Sequence, residues 1–164
     1  MDRGNLKIHH RRSIRLPGYD YTSEGSYFVT IVTHHRERLF GEIINDEMVL
    51  NDFGKIVNLT WNDLPNHNPD IGLDEFIIMP NHVHFIVYLF NPVHTVGAGS
   101  QPAPVDQTVN HNRAGLEPAP TKTQTPLSEI VRQLKTFSAR RINTSRNTPG
   151  VPVWQRNYYE HIIG

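Results

Sequence analysis

The sequence predicts an α+β fold: an antiparallel sheet with helices packed on it, interrupted by a proline-rich insertion. Two observations carry that reading. Short β-branched and aromatic runs alternate with two stretches of helical periodicity, in the order ββ-α-ββ-α. The prolines are also bunched, with Pro92, Pro102, Pro104, Pro118, Pro120 and Pro126 making up half of the 12 in the chain. A length of 164 residues suits one domain with an appendage.

The elements follow in order. Residues 26–33 (SYFVTIVT) are β-branched and aromatic and read as a strand. Residues 42–44 and 47–50 flank Asn45-Asp46, a turn pair that predicts a short hairpin. Phe53, Val57, Trp61 and Leu64 recur at helical spacing after a capping Asn51, and Pro65 is expected to close that helix. Residues 76–79 and 82–89 are apolar runs on either side of Pro80-Asn81 and read as paired strands. Leu127, Ile130, Val131, Leu134 and Phe137 form the stripe of a second helix, whose start is uncapped by any Ser-x-x-Glu box. Pro149-Gly150 breaks the chain, and an apolar stretch over 151–163 follows. This order suits a ferredoxin-like arrangement.

Residues 92–126 hold almost no large apolar side chains. They cannot bury enough surface to offset their ordering entropy, so they are expected to form a disordered insertion within a single domain spanning 1–164. The segment carries an imperfect repeat, Ala98-Gly99-x-x-Pro102-Ala103-Pro104 and Ala114-Gly115-x-x-Pro118-Ala119-Pro120, too short to build a solenoid.

The absence of cysteine excludes a disulfide scaffold, a thiolate zinc site and a cysteine nucleophile. The longest clean apolar run, 85–90, is far too short for a membrane span, and no apolar segment follows the charged start. A cytoplasmic protein without membrane contact is the expectation.

The formal net charge is zero, from 16 basic and 16 acidic side chains, which alone argues against a nucleic-acid partner. The distribution argues otherwise. Residues 1–16, a basic N-terminal arm, carry Arg3, Lys7, Arg11, Arg12 and Arg15 against Asp2. Residues 127–156 carry Arg132, Lys135, Arg140, Arg141, Arg146 and Arg156 against Glu129. Between them, residues 41–80 hold eight acids against Lys55. Two basic segments around an acidic middle are compatible with a phosphate-binding face and equally with ordinary solvated surface.

The sharpest motif is Met79-Pro80-Asn81-His82-Val83-His84-Phe85. Strand alternation puts His82 and His84 on one face and Val83 and Phe85 on the other. Two histidines in an apolar strand are costly unless they are hydrogen-bonded or bound to metal, and the spacing alone leaves both open. The metallohydrolase pattern H-x-H-x-D-H is not met, since Ile86 and Val87 occupy its later positions. His34, His35 and His67 read as surface histidines. Gly97-x-Gly99 lies in the proline-rich stretch and fails as a dinucleotide loop.

With MPNHVHFIV, three further blocks stand in order: HRRSIRLPGYDYTSEGSYFVT, PLSEIVRQLKTFSARRIN and VWQRNYYEHII. Together they resemble the HUH single-tyrosine transposases, in the branch associated with repetitive extragenic palindromes and related to the insertion-sequence-two-hundred type. The resemblance implies a ferredoxin-like fold and a divalent ion, Mg²⁺ or Mn²⁺, held by His82 and His84. It implies a single-stranded or hairpin DNA partner, cleaved and rejoined through a 5′-phosphotyrosine. Arg11, Arg12, Arg15, Lys135, Arg140, Arg141 and Arg156 are then the candidate DNA grips, in a monomer or homodimer. The family's nucleophilic tyrosine lies on a helix after the W-Q-x-x-Y-Y-x-H block, with a third metal ligand one turn later. Both are expected beyond Gly164, so the catalytic residue is unassigned. Tyr158 and Tyr159 are the substitutes within the chain, and they read as packing or DNA-stacking aromatics; His161 is a further candidate for the ion or a phosphate. Two alternatives stay open. One is a cleavage-dead DNA-binding remnant, and the other a small metal-dependent phosphodiesterase built on His82 and His84.

Overall fold

A computed structural model describes residues 18–90 and 124–163. The arm at 1–16 and Arg11, Arg12 and Arg15 therefore lie outside the described residues, as does the insertion apart from 124–126. The elements are β1 (Gly25–Val32), β2 (Gly41–Ile44), β3 (Glu47–Leu50), α1 (Asp52–His67), β4 (Ile71–Met79), β5 (His82–Leu89), α2 (Leu127–Ser145) and β6 (Tyr159–Ile163).

Four strands form one sheet in the order β4-β5-β1-β6, with every neighbouring pair antiparallel. Strands β1 and β4 therefore run parallel with β5 between them, and β5 and β6 run parallel with β1 between them. Each parallel pair is joined through a helix, α1 or α2. Two interleaved β-α-β units of this kind are the ferredoxin-like arrangement that the sequence predicts. Strands β2 and β3 form a separate two-stranded hairpin between β1 and α1. Asn45 and Asp46 turn it, both with positive φ (50° and 65°), as a type I′ turn requires.

Both helices cover one face of the sheet. Alternation on β1 sends Tyr27, Val29 and Ile31 inward, and alternation on β5 sends Val83, Phe85, Val87 and Leu89 the same way. They meet Val57, Trp61 and Leu64 of α1 and Leu127, Ile130 and Leu134 of α2 in one buried cluster. Trp61 stacks on Phe76 at 4.8 Å between ring centroids and tilts against Phe85 at 4.7 Å.

Element ends depart from the sequence reading in three places. Helix α1 runs two residues past Pro65, to His67, because a proline in the last turn forfeits only one backbone bond. Asn68 then closes it, giving both its backbone N–H and its side-chain Nδ2 to the Leu64 carbonyl. Strand β4 begins at Ile71, not at 76, and a register shift between Leu73 and Phe76 lets a stretch containing Asp74 and Glu75 belong to it. Within 151–163 only Tyr159–Ile163 joins the sheet. The preceding segment instead docks through Trp154, which bridges to Thr33, packs on Phe40 and donates Nε1–H to Ser138 at 3.0 Å. Asn51 caps α1 as expected, accepting from the N–H groups of Phe53 and Gly54.

Asp70 closes the stem from which residues 91–123 depart. Its carbonyl accepts from the Phe90 N–H, and its carboxylate accepts from the Thr125 N–H at 2.6 Å and the Thr125 hydroxyl at 3.0 Å. No helix among the described residues is long and apolar enough to cross a membrane.

Candidate metal centre on the open face of the sheet

Among the described residues, no helix lies on the second face of the sheet. Register fixes what stands on it. His84 pairs with Thr30 on one side and Ile77 on the other, and Thr30 pairs in turn with Tyr159. One row across all four strands is thus Ile77, His84, Thr30 and Tyr159. The next row toward the β4–β5 turn is Met79, His82 and Val32. In the other direction stand Ile86, Phe28 and His161.

His82 and His84 converge as strand alternation predicts, with ring centroids 4.7 Å apart. Each ring has its Nδ1 engaged. His82 Nδ1 lies 2.7 Å from Asn81 Oδ1, and His84 Nδ1 lies 2.8 Å from Thr30 Oγ1. The Asn81 amide is oriented by its other end, where Nδ2 donates to the Arg36 carbonyl at 3.3 Å. Its oxygen therefore faces His82, and since an amide oxygen only accepts, His82 carries its proton on Nδ1. A hydroxyl can accept as well, so His84 has the same option. With the proton on Nδ1 in both rings, both Nε2 atoms would be lone-pair donors. Phe28 lies against His84 in a stacked arrangement, 5.5 Å between centroids and 19° between planes.

Burial pushes the pKa of both imidazoles below the ordinary histidine value, and the neighbouring His84 lowers His82 further. Both are neutral at pH 7, the state in which imidazole binds a metal. Nitrogen donors are softer than the all-oxygen sets that Mg²⁺ favours. Among the described residues no cluster of three or more His, Cys, Asp or Glu side chains could hold a metal, so at this site the pair would offer two ligands.

The two tyrosines separate. Tyr158 packs against the core cluster, whereas Tyr159 is 57% exposed and stands on the open face. It lies two strands from His84, about 10 Å away at ordinary strand spacing. His161 is exposed on the same face.

Three of the candidate DNA grips within the described residues stand away from the histidines. Lys135, Arg140 and Arg141 belong to α2, on the opposite side of the sheet. Lys135 Nζ donates to the carbonyls of Gln155 (2.6 Å) and Arg156 (2.9 Å), and burial pushes its pKa down to about 8. Arg141 reaches across to α1, bonding Thr60 at 2.9 Å and Asp63 at 3.0 Å. Arg140 and Arg156 are exposed. Thr30, Phe28 and Asn81 are the site residues that sequence reasoning passed over. Asn81 stood in the quoted block beside His82, and alternation along β1 would have put Phe28 and Thr30 on one face. The β1–β5 register that joins them to the histidines is not written in either segment alone.

No protein-family model matches the chain. Among solved structures, a Deinococcus radiodurans R1 protein provisionally described as a transposase superposes with a TM-score of 0.49 at 15% identity, over 92% of this chain and 85% of that one. A REP-associated tyrosine transposase bound to a REP hairpin gives a TM-score of 0.46 at 15% identity, over 85% of this chain and 56% of that one. An uncharacterized protein of Haemophilus influenzae (strain ATCC 51907 / DSM 11121 / KW20 / Rd) is 44% identical over 162 residues, 97% of this chain and 82% of its own length. At that identity and coverage the chain belongs to the same family as the Haemophilus protein.

Proposed function

We propose that this chain is a transposase-like protein of the HUH class that binds single-stranded, hairpin-forming DNA on the open face of its sheet and holds a divalent cation between His82 and His84. The observation that carries the reading is the geometry of the pair: two imidazoles with ring centroids 4.7 Å apart on one face of the sheet, each with its Nδ1 engaged by a neighbouring side chain. The four sequence blocks that resemble the family support it independently. When bound, the ion would act as a Lewis acid on a phosphodiester oxygen. The chain itself contributes a face that suits unpaired bases. Phe28 beside His84 and Tyr159 in the same row offer flat rings for stacking, which tolerates any base. Tyr159 is also the tyrosine nearest the pair along that row, with an exposed phenol.

The test is fluorescence anisotropy of a labelled hairpin-forming oligonucleotide, titrated with and without Mn²⁺. The expected result is tighter binding with Mn²⁺, lost in His82→Ala and His84→Ala while the melting temperature stays within a few degrees. Equal affinity for duplex and hairpin single strand would overturn the DNA reading. Undiminished Mn²⁺ affinity in both variants would overturn the metal reading. Covalent adduct on a denaturing gel, abolished by Tyr159→Phe, would mark this chain as a strand-cleaving enzyme. Binding without adduct would mark it as a recognition module.

A further inference from the structure

The geometry points to Asn81 and Thr30 as positioning residues that hold His82 and His84 in the Nδ1–H tautomer and so aim both Nε2 lone pairs at one cation. The inference rests on the metal reading of the pair for its purpose, but the tautomer is a property of the metal-free protein and is tested there.

Each hydrogen bond is anchored from behind. Asn81 sits in the turn between β4 and β5, where its backbone carbonyl accepts from the Thr33 N–H at 2.9 Å and the Thr33 hydroxyl at 3.0 Å. Its side-chain amide is held by the Arg36 carbonyl, on the loop that leaves β1. That loop has an uncommon path, with His35 and Arg36 both at positive φ (52° and 60°), a conformation that L residues rarely adopt in succession. The chain Arg36 C=O, Asn81 amide, His82 Nδ1 thus runs from a constrained loop to one imidazole. Thr30 is fixed differently. It lies on β1, between β5 and β6, so its backbone is held by pairing on both sides. Phe28 stacked on the His84 ring restricts rotation on that side.

Such outer partners matter because a neutral imidazole presents one lone pair, and the hydrogen bond at the other nitrogen decides which. With a proton on Nε2, either ring would turn an N–H toward the ion. A site with only two protein nitrogens among the described residues has no spare ligand to absorb that loss.

The experiment is ¹⁵N spectroscopy of the histidine ring nitrogens in the metal-free, full-length protein at neutral pH, followed by calorimetric Mn²⁺ titration. Wild type is expected to show Nδ1–H for both His82 and His84. Asn81→Ala is expected to shift His82 alone toward Nε2–H and Thr30→Val to release His84 alone, each weakening Mn²⁺ binding by about 10–100-fold. Thr30→Ser, which keeps the hydroxyl, is expected to restore both the tautomer and the affinity at His84. The backbone bonds of Asn81 survive all these changes, and unaltered amide spectra confirm the fold. Nε2–H at either histidine in wild type overturns the inference for that residue, as does a tautomer that ignores the matching substitution. Correct tautomers in a protein that binds no Mn²⁺ would instead overturn the metal reading and leave the positioning role standing.

Discussion

The two faces of the sheet are built from the same strands and do opposite work. On β1, Tyr27, Val29 and Ile31 are fully buried under the helices, while Phe28, Thr30 and Val32 stand between them on the open side. On β5, Phe85 is buried and His84, one residue earlier, is a candidate ligand. A period of two lets one strand carry a buried apolar row and a candidate site on opposite faces. On this division the polar cluster at the histidines is expected to add less to folding than the buried face does. The hydrophobic term sits on the helix side, where apolar area leaves water, and the open face keeps its partners near solvent.

The largest predicted effect breaks this comparison if it fails. Phe85→Ala removes a buried ring that packs on Trp61 and is expected to cost about 3–5 kcal/mol. Phe28→Ala, on the neighbouring strand but the open face, is expected to cost about 1 kcal/mol or less. Urea unfolding of both variants checks it, and equal losses would mean that the open face is covered in solution.

A smaller effect sharpens the comparison at Lys135. The sequence presents it as a DNA grip, yet its ammonium serves the helix side by holding two carbonyls. Its folded pKa is about 8, below the ordinary 10.5, so between those values the unfolded chain binds more protons. Stability from this group therefore rises as pH climbs from 8 to 10.5. Tyr27, whose pKa is raised by burial, works in the opposite direction, but it is common to any Lys135 variant and cancels in the comparison. The melting temperature of wild type minus that of Lys135→Met should increase across the window. A flat difference would show that the two carbonyls compensate the burial of the charge.

The smallest effect is expected from replacing residues 91–123 with a short Gly-Ser linker. Asp70 already brings Phe90 and Thr125 together, and loop closure depends only weakly on length. Melting temperature and Mn²⁺ affinity should match wild type. A loss of either would show that the segment contacts the folded part. Asp70→Ala, by contrast, removes the clasp and is expected to cost about 1–2 kcal/mol.

What could be read from sequence follows from range. Strand β1, the hairpin, both helices and β5 announce themselves through local periodicity and through the Asn51 cap and Asn45-Asp46 turn. The first half of β4 does not, because Gly72, Asp74 and Glu75 interrupt its alternation and the bulge that accommodates them is a property of pairing with β5. Strand β6 was only an apolar stretch, since its boundaries are set by β1, over a hundred residues earlier. The histidine pair was legible because both members lie on one strand. Thr30 was not, because its bond to His84 spans 54 residues of sequence. The partners of the basic side chains were illegible for a similar reason: Lys135 and Arg141 look free in a helical stripe, and their partners come from other elements.

The Asp70 clasp has a practical consequence. Gly25, Leu89 and Ile71 meet at one end of the sheet, and the Asp70 stem lies there, at the opposite end from His82 and Asn81. A fluorescent or affinity module spliced between Phe90 and Thr125 would thus hang from the end of the sheet remote from the histidines. Such a fusion would provide a probe for the DNA and metal titrations from within the polypeptide while leaving both termini unaltered.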